Sequence, residues 1–265
     1  MPIDAGTFSD VPSENVEPSV EPDRRTRKRE RRRDLLLDLA ADLVAELGPD
    51  GVTMAALAEA ADYAPASLYT YFASRSALLA ALQQRALVTL GAVAEDHLRT
   101  CDAALASRSG DRPSEAVTAL ARLWSFSDLF LAAPERHPRE FRLQQQLLVS
   151  PGIEDAADAA EVVPAALGVL DVPRRLLAAA ATAGALEPHA DAVDPLGLPV
   201  DGDYLRTVAW VVALNGALLA DGLTTGLPST GTHLGSELTQ ALLRGWGAPV
   251  ADLATARTIS EGWVR

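Results

Sequence analysis

Leu36, Leu39, Leu43 and Leu47 recur at spacings of three and four, which lays one apolar stripe along a helix. Gly48, Pro49, Asp50 and Gly51 end it. Thr53 is placed to cap a second, short helix that turns Met54, Leu57, Ala58 and Ala61 inward. After a break at Asp62 and Tyr63, Pro65 opens a third short helix running through Tyr71, because proline has no N–H to lose at a helix start. Ser74 then caps a long helix carrying Leu78, Leu79, Leu82 and Leu87 inward. That helix is placed at about 76–107, and further helices are expected at about 114–132, 135–149, 153–170, 173–186, 203–225, 232–246 and 249–261. The segment from Glu187 to Gly202, with Pro188, Pro195 and Pro199, reads as a long loop or lid. No stretch alternates with period two for long enough to signal a sheet, so the fold class is all-α. Residues 1–23 hold four prolines among acids and serines with no apolar periodicity, the pattern of a disordered acidic tail.

The chain has 265 residues, 48% of them apolar, which suffices for a folded hydrophobic core. No run of 18 apolar residues is free of charges and breakers, and the first residues are acidic where a signal peptide would be basic and then apolar. A cytoplasmic protein without a membrane partner is expected. The single cysteine, Cys101, excludes an intrachain disulfide and multi-cysteine metal sites. His97 stands four residues before it, at ligand spacing, but two ligands make an incomplete site. No metal or cofactor is expected.

A formal net charge of −13 argues against a nucleic-acid partner only if the charge is evenly spread, and it is not. Residues 1–23 carry six acids and no base, whereas Arg24 to Arg33 carries eight bases against the single acid Glu30. That segment is a local basic arm preceding the short helices, able to follow a DNA backbone or enter a minor groove; a solvated charge run is the alternative. Arg27, Lys28 and Arg31 are its candidate contacts.

Two short helices joined by a tight turn, with a third packed against them, make a helix-turn-helix. Its recognition helix runs from Pro65 to Tyr71, with Leu68 and Phe72 inward and Ala66, Ser67 and Thr70 free to face base edges. Such side chains offer apolar contact to thymine methyls and single hydroxyl bonds in place of bidentate pairing. No nucleotide-binding glycine fingerprint, P-loop, nucleophile elbow or zinc-protease motif is present, so the chain is not read as an enzyme. A helical small-molecule-binding or protein-interaction adaptor without specific DNA binding is the alternative reading.

The ordered blocks Val52-Thr53-Met54-Ala55-Ala56-Leu57-Ala58-Glu59-Ala60-Ala61, Pro65-Ala66-Ser67-Leu68-Tyr69-Thr70-Tyr71-Phe72 and Ser74-Arg75-Ser76-Ala77-Leu78-Leu79 resemble the DNA-binding domain of the TetR family over residues 33–82. The resemblance implies an all-helical homodimer, Ω-shaped, that binds a palindromic double-stranded DNA operator and is released from it by a small molecule. It divides the chain into the tail (1–23), a DNA-binding domain with its basic arm (24–82) and a larger helical ligand-binding and dimerisation domain (83–265). Thr53, Tyr69, Tyr71 and Arg75 match positions that anchor phosphates in the family, with core packing as the lesser alternative for either tyrosine. Three positions depart from the family pattern. Asp62 stands where the turn usually has glycine, Tyr63 where a small β-branched residue is usual, and Ala64 where a hydroxyl caps the recognition helix. No contact by that hydroxyl is carried over to Ala64.

Beyond residue 83 the scarce aromatic side chains Trp124, Phe126, Phe130, Phe141 and Trp210 are candidate walls of a pocket for a largely apolar effector. Gln145 and Asn215, with Arg122, Asp128 and Arg142, are the candidate polar contacts. By resemblance, the apolar helices at about 203–225 and 232–246 form the dimer interface.

Overall fold

The computed structural model describes residues 24–107, 112–149, 152–188, 192–193, 199–200, 202–221 and 231–263. The acidic segment 1–23 lies outside these, as does the stretch that was expected to complete the helix ending near residue 225. Four helices build the N-terminal part: α1 (Arg24–Gly51), α2 (Met54–Ala61), α3 (Pro65–Leu68) and α4 (Arg75–Ala106). They are followed by α5 (Glu115–Leu131), α6 (Ala133–Arg136), α7 (Pro138–Val149), α8 (Ala156–Thr182), α9 (Gly202–Asp221), α10 (Gly231–Gly245) and α11 (Val250–Glu261). Among the described residues the fold is all-α but for one minimal antiparallel ladder of β1 (Ala192–Val193) and β2 (Pro199–Val200), which lies in the segment expected to be a loop.

Local chemistry explains the first helices. At Gly48 the backbone swings to φ 73°, which breaks α1 before a last turn containing Pro49. Thr53 Oγ1 accepts from the Ala56 amide at 3.0 Å and Ser74 Oγ accepts from the Ala77 amide at 2.9 Å, capping α2 and α4. Ala64 gives α3 no side-chain cap, and α-helical geometry ends at Leu68, earlier than expected. Tyr69 to Phe72 continue as turns, with the Tyr71 and Phe72 amides both donating to Leu68 O.

Two expectations are corrected by tertiary context. The basic arm is not a separate appendage, because α1 starts at Arg24. Arginine and lysine are good helix formers, no breaker intervenes before Gly48, and buried Leu36, Leu37, Ala40, Ala41 and Val44 anchor the helix. The helices expected at 153–170 and 173–186 are one, α8, which runs through Pro164 and Pro173. Each proline forfeits a helical hydrogen bond, but Val172, Pro173, Leu176 and Leu177 are buried together, and that packing holds the helix continuous.

Two large hydrophobic clusters result, beside a small one of Ala80, Leu87 and Val162 between α4 and α8. One joins α1, α2, α3 and the first turns of α4, and α7 adds Leu143 and Leu147 to it. The other is built by α5, α8, α9, α10 and α11 around Trp210, Leu120, Leu123 and Leu177, with Ala94 and Leu98 of α4 packed in. An 18-residue window of α4 is apolar enough to cross a bilayer by length and composition, yet its leucines are spent on these cores. α4 is thus the element common to both of these clusters.

Candidate nucleic-acid interface and ligand cavity

The turn between α2 and α3 closes on Asp62, which adopts the left-handed conformation at φ 56° and ψ 46°. A short side chain that tolerates this geometry is what lets α3 leave α2 at a sharp angle. The Tyr63 amide returns to Ala58 O at 2.9 Å and secures the exit. Leu68 is fully buried and Phe72 nearly so, which turns Ala66, Ser67, Tyr69 and Thr70 outward. Tyr69 is 54% exposed. Tyr71 instead lies half-buried against the N-terminal core, so its ring packs while its edge stays accessible. Thr53 is exposed, and its cap bond uses only a lone pair, leaving its hydroxyl proton to donate.

The basic turns of α1 lie beside this surface. Arg29 Nη2 donates to Thr70 O at 2.9 Å, and the Arg33 guanidinium sits 5.2 Å from the centre of the Phe72 ring. Arg27, Lys28 and Arg31 are exposed on the same turns. The sequence did not single out Arg29 and Arg33, since only the helical phase of α1 sorts the arginines that touch α3 from those that do not.

Arg75 does not occupy the position expected of it. Its side chain turns inward, with Nε donating to Val52 O at 2.6 Å, Nη2 to Pro49 O at 2.6 Å and Nη1 to Gly152 O at 3.2 Å. Three carbonyls from the α1–α2 turn and the α7–α8 loop consume the fork of the guanidinium, so a phosphate contact by Arg75 does not fit this geometry. Nearby, Ser74 Oγ donates to Asp158 Oδ2 at 3.3 Å and the Asp155 amide to Ser76 Oγ at 3.3 Å. The start of α4 is thereby fastened to the start of α8.

A cavity of about 370 Å³ lies among α4, α5, α7, α8 and α9. Phe126, Phe130 and Phe141 line it; Phe130 and Phe141 meet edge-on with centroids 6.3 Å apart. Leu87, Leu90, Val93, Val169, Leu170 and Val208 complete its apolar walls. Gln144, Gln145, Asn215, His137 and Tyr204 are its polar side chains. Of these the sequence named Gln145 and Asn215; the others gave no signal because a helical pattern does not tell a cavity wall from a core face.

The remaining candidates are corrected. Trp210 is fully buried outside the cavity, donating Nε1–H to Thr239 Oγ1 at 3.0 Å and packing on Phe126 at 5.3 Å. Trp124 is likewise core, beneath the Arg257 guanidinium at 4.8 Å. Arg122 is tied to Asp102 and Asp128 to Arg257, both at 2.7 Å, while Arg142 is exposed and does not line the cavity.

His97 and Cys101 do converge, but on Ser125. His97 Nε2 lies 2.7 Å and Cys101 Sγ 3.2 Å from Ser125 Oγ. Burial, reinforced by the charge of Arg136, holds the imidazole below its ordinary pKa, and burial raises that of the thiol. Both are therefore neutral, and among the described residues no three His, Cys, Asp or Glu side chains cluster as a metal site.

No curated protein matches the chain. Residues 36–82 match the family model described as bacterial regulatory proteins, tetR family. Among solved structures, SmeT, repressor of a multidrug efflux pump of Stenotrophomonas maltophilia, is similar at TM-score 0.56 and 16% identity, over 83% of this chain and 92% of that one. FadR of Bacillus subtilis, solved with stearoyl-CoA, is similar at TM-score 0.51 and 15% identity, over 79% and 97%. RolR, solved with resorcinol, is similar at TM-score 0.50 and 20% identity, over 88% and 95%. Residues 36–82 are thus similar to the tetR family of bacterial regulatory proteins, and the chain has the all-helical fold of these solved structures.

Proposed function

We propose that this chain is a homodimeric repressor, acting in the cytoplasm, that binds a palindromic operator through α3 and is released from it by a small apolar molecule held in the cavity. The observation that carries the reading is the α2–α3 unit: Leu68 and Phe72 anchor it, Ser67, Tyr69 and Thr70 stand outward, and the basic turns of α1 lie alongside. In this arrangement Ala66, Ser67 and Thr70 meet base edges. Thr53, Tyr69 and Tyr71 contact phosphates, joined by Arg27, Lys28 and Arg31 from α1. Arg75 takes no part.

Dimerisation rests on an apolar stripe along α9. Leu205, Ala209, Val212, Gly216 and Leu219 are all exposed and repeat at spacings of four and three, facing away from the core that buries Trp210 and Leu214. Leu234 of α10 is exposed as well. Packing α9 and α10 of two copies together buries this face and sets two copies of α3 about one helical turn of DNA apart. That the similar proteins RolR and FadR are seen with resorcinol and stearoyl-CoA supports the cavity as an effector site.

Selection of bound sequences from a random duplex library, with purified protein and nonspecific competitor, tests the reading. Enrichment of a palindrome is expected, and Thr70→Ala should alter the preferred bases more than the affinity for random DNA. A folded dimer that enriches no motif would replace the regulator with the adaptor alternative.

A further inference from the structure

The polar end of the cavity contains an amide relay whose direction is fixed by the backbone. Val211 O is a carbonyl and only accepts, so Asn215 presents Nδ2 to it, at 2.9 Å. Asn215 Oδ1 is thereby turned toward Gln145, whose Nε2 donates to it at 2.5 Å. Rotating either amide by half a turn would set oxygen against oxygen, which settles the assignment of the two ends. What remains of Gln145 is Oε1, which is buried and has no hydrogen-bond partner. Gln144 Oε1, on the same wall of α7, is in the same condition. The orphaned Gln146 Oε1 lies off the cavity and has no part in this.

A relay that starts on a carbonyl and ends on a free oxygen demands a donor. The walls add a second constraint: among the described residues they include no Lys, Arg, Asp or Glu, so an ionised ligand would enter with no fixed counter-charge beyond the imidazole of His137 and keep most of its desolvation cost. The third constraint is shape, set by the rings of Phe126, Phe130 and Phe141.

We infer that the effector is a neutral, ring-containing molecule carrying a hydroxyl or N–H that donates to Gln145 Oε1, with Gln144 Oε1 as a second acceptor for another donor or for the same one. This rests on the cavity being the effector site. A ligand of the same shape without a donor displaces water from these oxygens and leaves them bare, which is the strongest form of discrimination a polar site has.

The test uses the full chain and three probes of one shape: 2-naphthol, 2-methoxynaphthalene and 2-naphthoate, each titrated by calorimetry. The naphthol is expected to bind about tenfold or more tightly than its methyl ether, with the carboxylate weakest. The variant Gln144→Met/Gln145→Met/Asn215→Leu removes every amide of the relay, and its preference for naphthol over the ether should shrink to about threefold or less. Val208→Trp, which fills the cavity, should abolish binding of all three. Equal binding of naphthol and ether by the natural chain overturns the inference, as does tightest binding of the carboxylate. Binding that persists in Val208→Trp, or no binding of any probe by the natural chain, overturns the effector-site reading and the inference with it. Loss in Val208→Trp beside an equal naphthol and ether pair sinks the donor alone.

Discussion

Arg75→Gln distinguishes a residue that staples the fold from one that holds DNA. The guanidinium donates to Val52 O and Pro49 O at 2.6 Å each and to Gly152 O at 3.2 Å. Glutamine has one amide nitrogen on a shorter stem and cannot span three carbonyls from two loops. A hydrogen bond from a charged donor contributes about 1.5–3 kcal/mol, but the three are not additive and water reaches a half-buried site. A net loss of about 2–4 kcal/mol follows, the longer Gly152 bond adding least. For a chain of this size about 1 kcal/mol moves Tm by roughly 2–4 °C, so a fall of roughly 4–16 °C is expected at fixed protein concentration. DNA affinity should be measured at several salt concentrations, at a temperature where the variant is fully folded. Each phosphate contact contributes about 0.9 to the slope of log affinity against log salt. The expected slope is unchanged. A slope reduced by about 0.9 with Tm within about 1 °C of the natural chain would refute the reasoning and restore Arg75 to the DNA surface.

Thr239→Val strips the shared oxygen from a buried trio in which Trp210 Nε1 and Ser127 Oγ both reach Thr239 Oγ1, at 3.0 and 2.9 Å. Urea unfolding should show a loss of about 1–3 kcal/mol, with the Trp210 fluorescence shifted, and an unchanged midpoint would contradict the pairing. His97 is held below its ordinary pKa of 6.5, chiefly by burial and next by Arg136, against the opposing influences of Ser125, Asp128 and Asp96. Because the unfolded chain takes up this proton first as pH falls through 6.5, stability contributed by neutral His97 is present above that pH and declines below it. His97→Gln should therefore lose less stability than the natural chain between pH 7.5 and 5.5, and equal losses would exclude the linkage. Leu205→Arg/Leu219→Arg places two charges on the exposed stripe of α9; sedimentation should show monomers with the helical content retained, and an intact dimer would move the interface elsewhere.

What the sequence disclosed depended on how far each cause reached along the chain. Gly48, Thr53, Asp62, Pro65 and Ser74 act on neighbours within about four residues, so breaks, caps and the short α2–α3 unit were legible. The partition of α3 and the turns after it into Leu68 and Phe72 inward and Ser67 and Thr70 outward followed from the helical phase expected over Pro65–Tyr71. Pro173 was misjudged because local propensity counts its lost hydrogen bond and not the buried face that compensates for it. Arg75 faces a turn 23 residues upstream and a loop 77 residues downstream, neither visible from its own segment. Trp124 and Trp210 illustrate the same limit: an indole suits a core and a pocket wall equally, and only the partners Arg257 and Thr239 decide. Gln144 carried no signal because its meaning lies in an oxygen left without a partner.

The two faces of α7 give the proposed release its physical route. Arg139, Leu143 and Leu147, spaced by four, point to the N-terminal half: Arg139 Nη2 donates to Asp38 O at 2.8 Å and pairs with Asp42 at 3.0 Å, and the two leucines enter the core beneath α1 and α4. Phe141, Gln144 and Gln145 point to the cavity. One helix is therefore wall to the cavity and core to the N-terminal unit, and its C-terminal loop supplies the Gly152 carbonyl that Arg75 grips. Close-packed interfaces move between discrete arrangements and do not deform smoothly, so displacing one face of α7 requires the other to repack. Release follows only if the effector binds the displaced arrangement better than the DNA-bound one, whatever its absolute affinity. The same balance runs in reverse. Under the proposed function, operator DNA weakens effector binding by the factor by which effector weakens operator binding, since both ligands would draw on one equilibrium of α7.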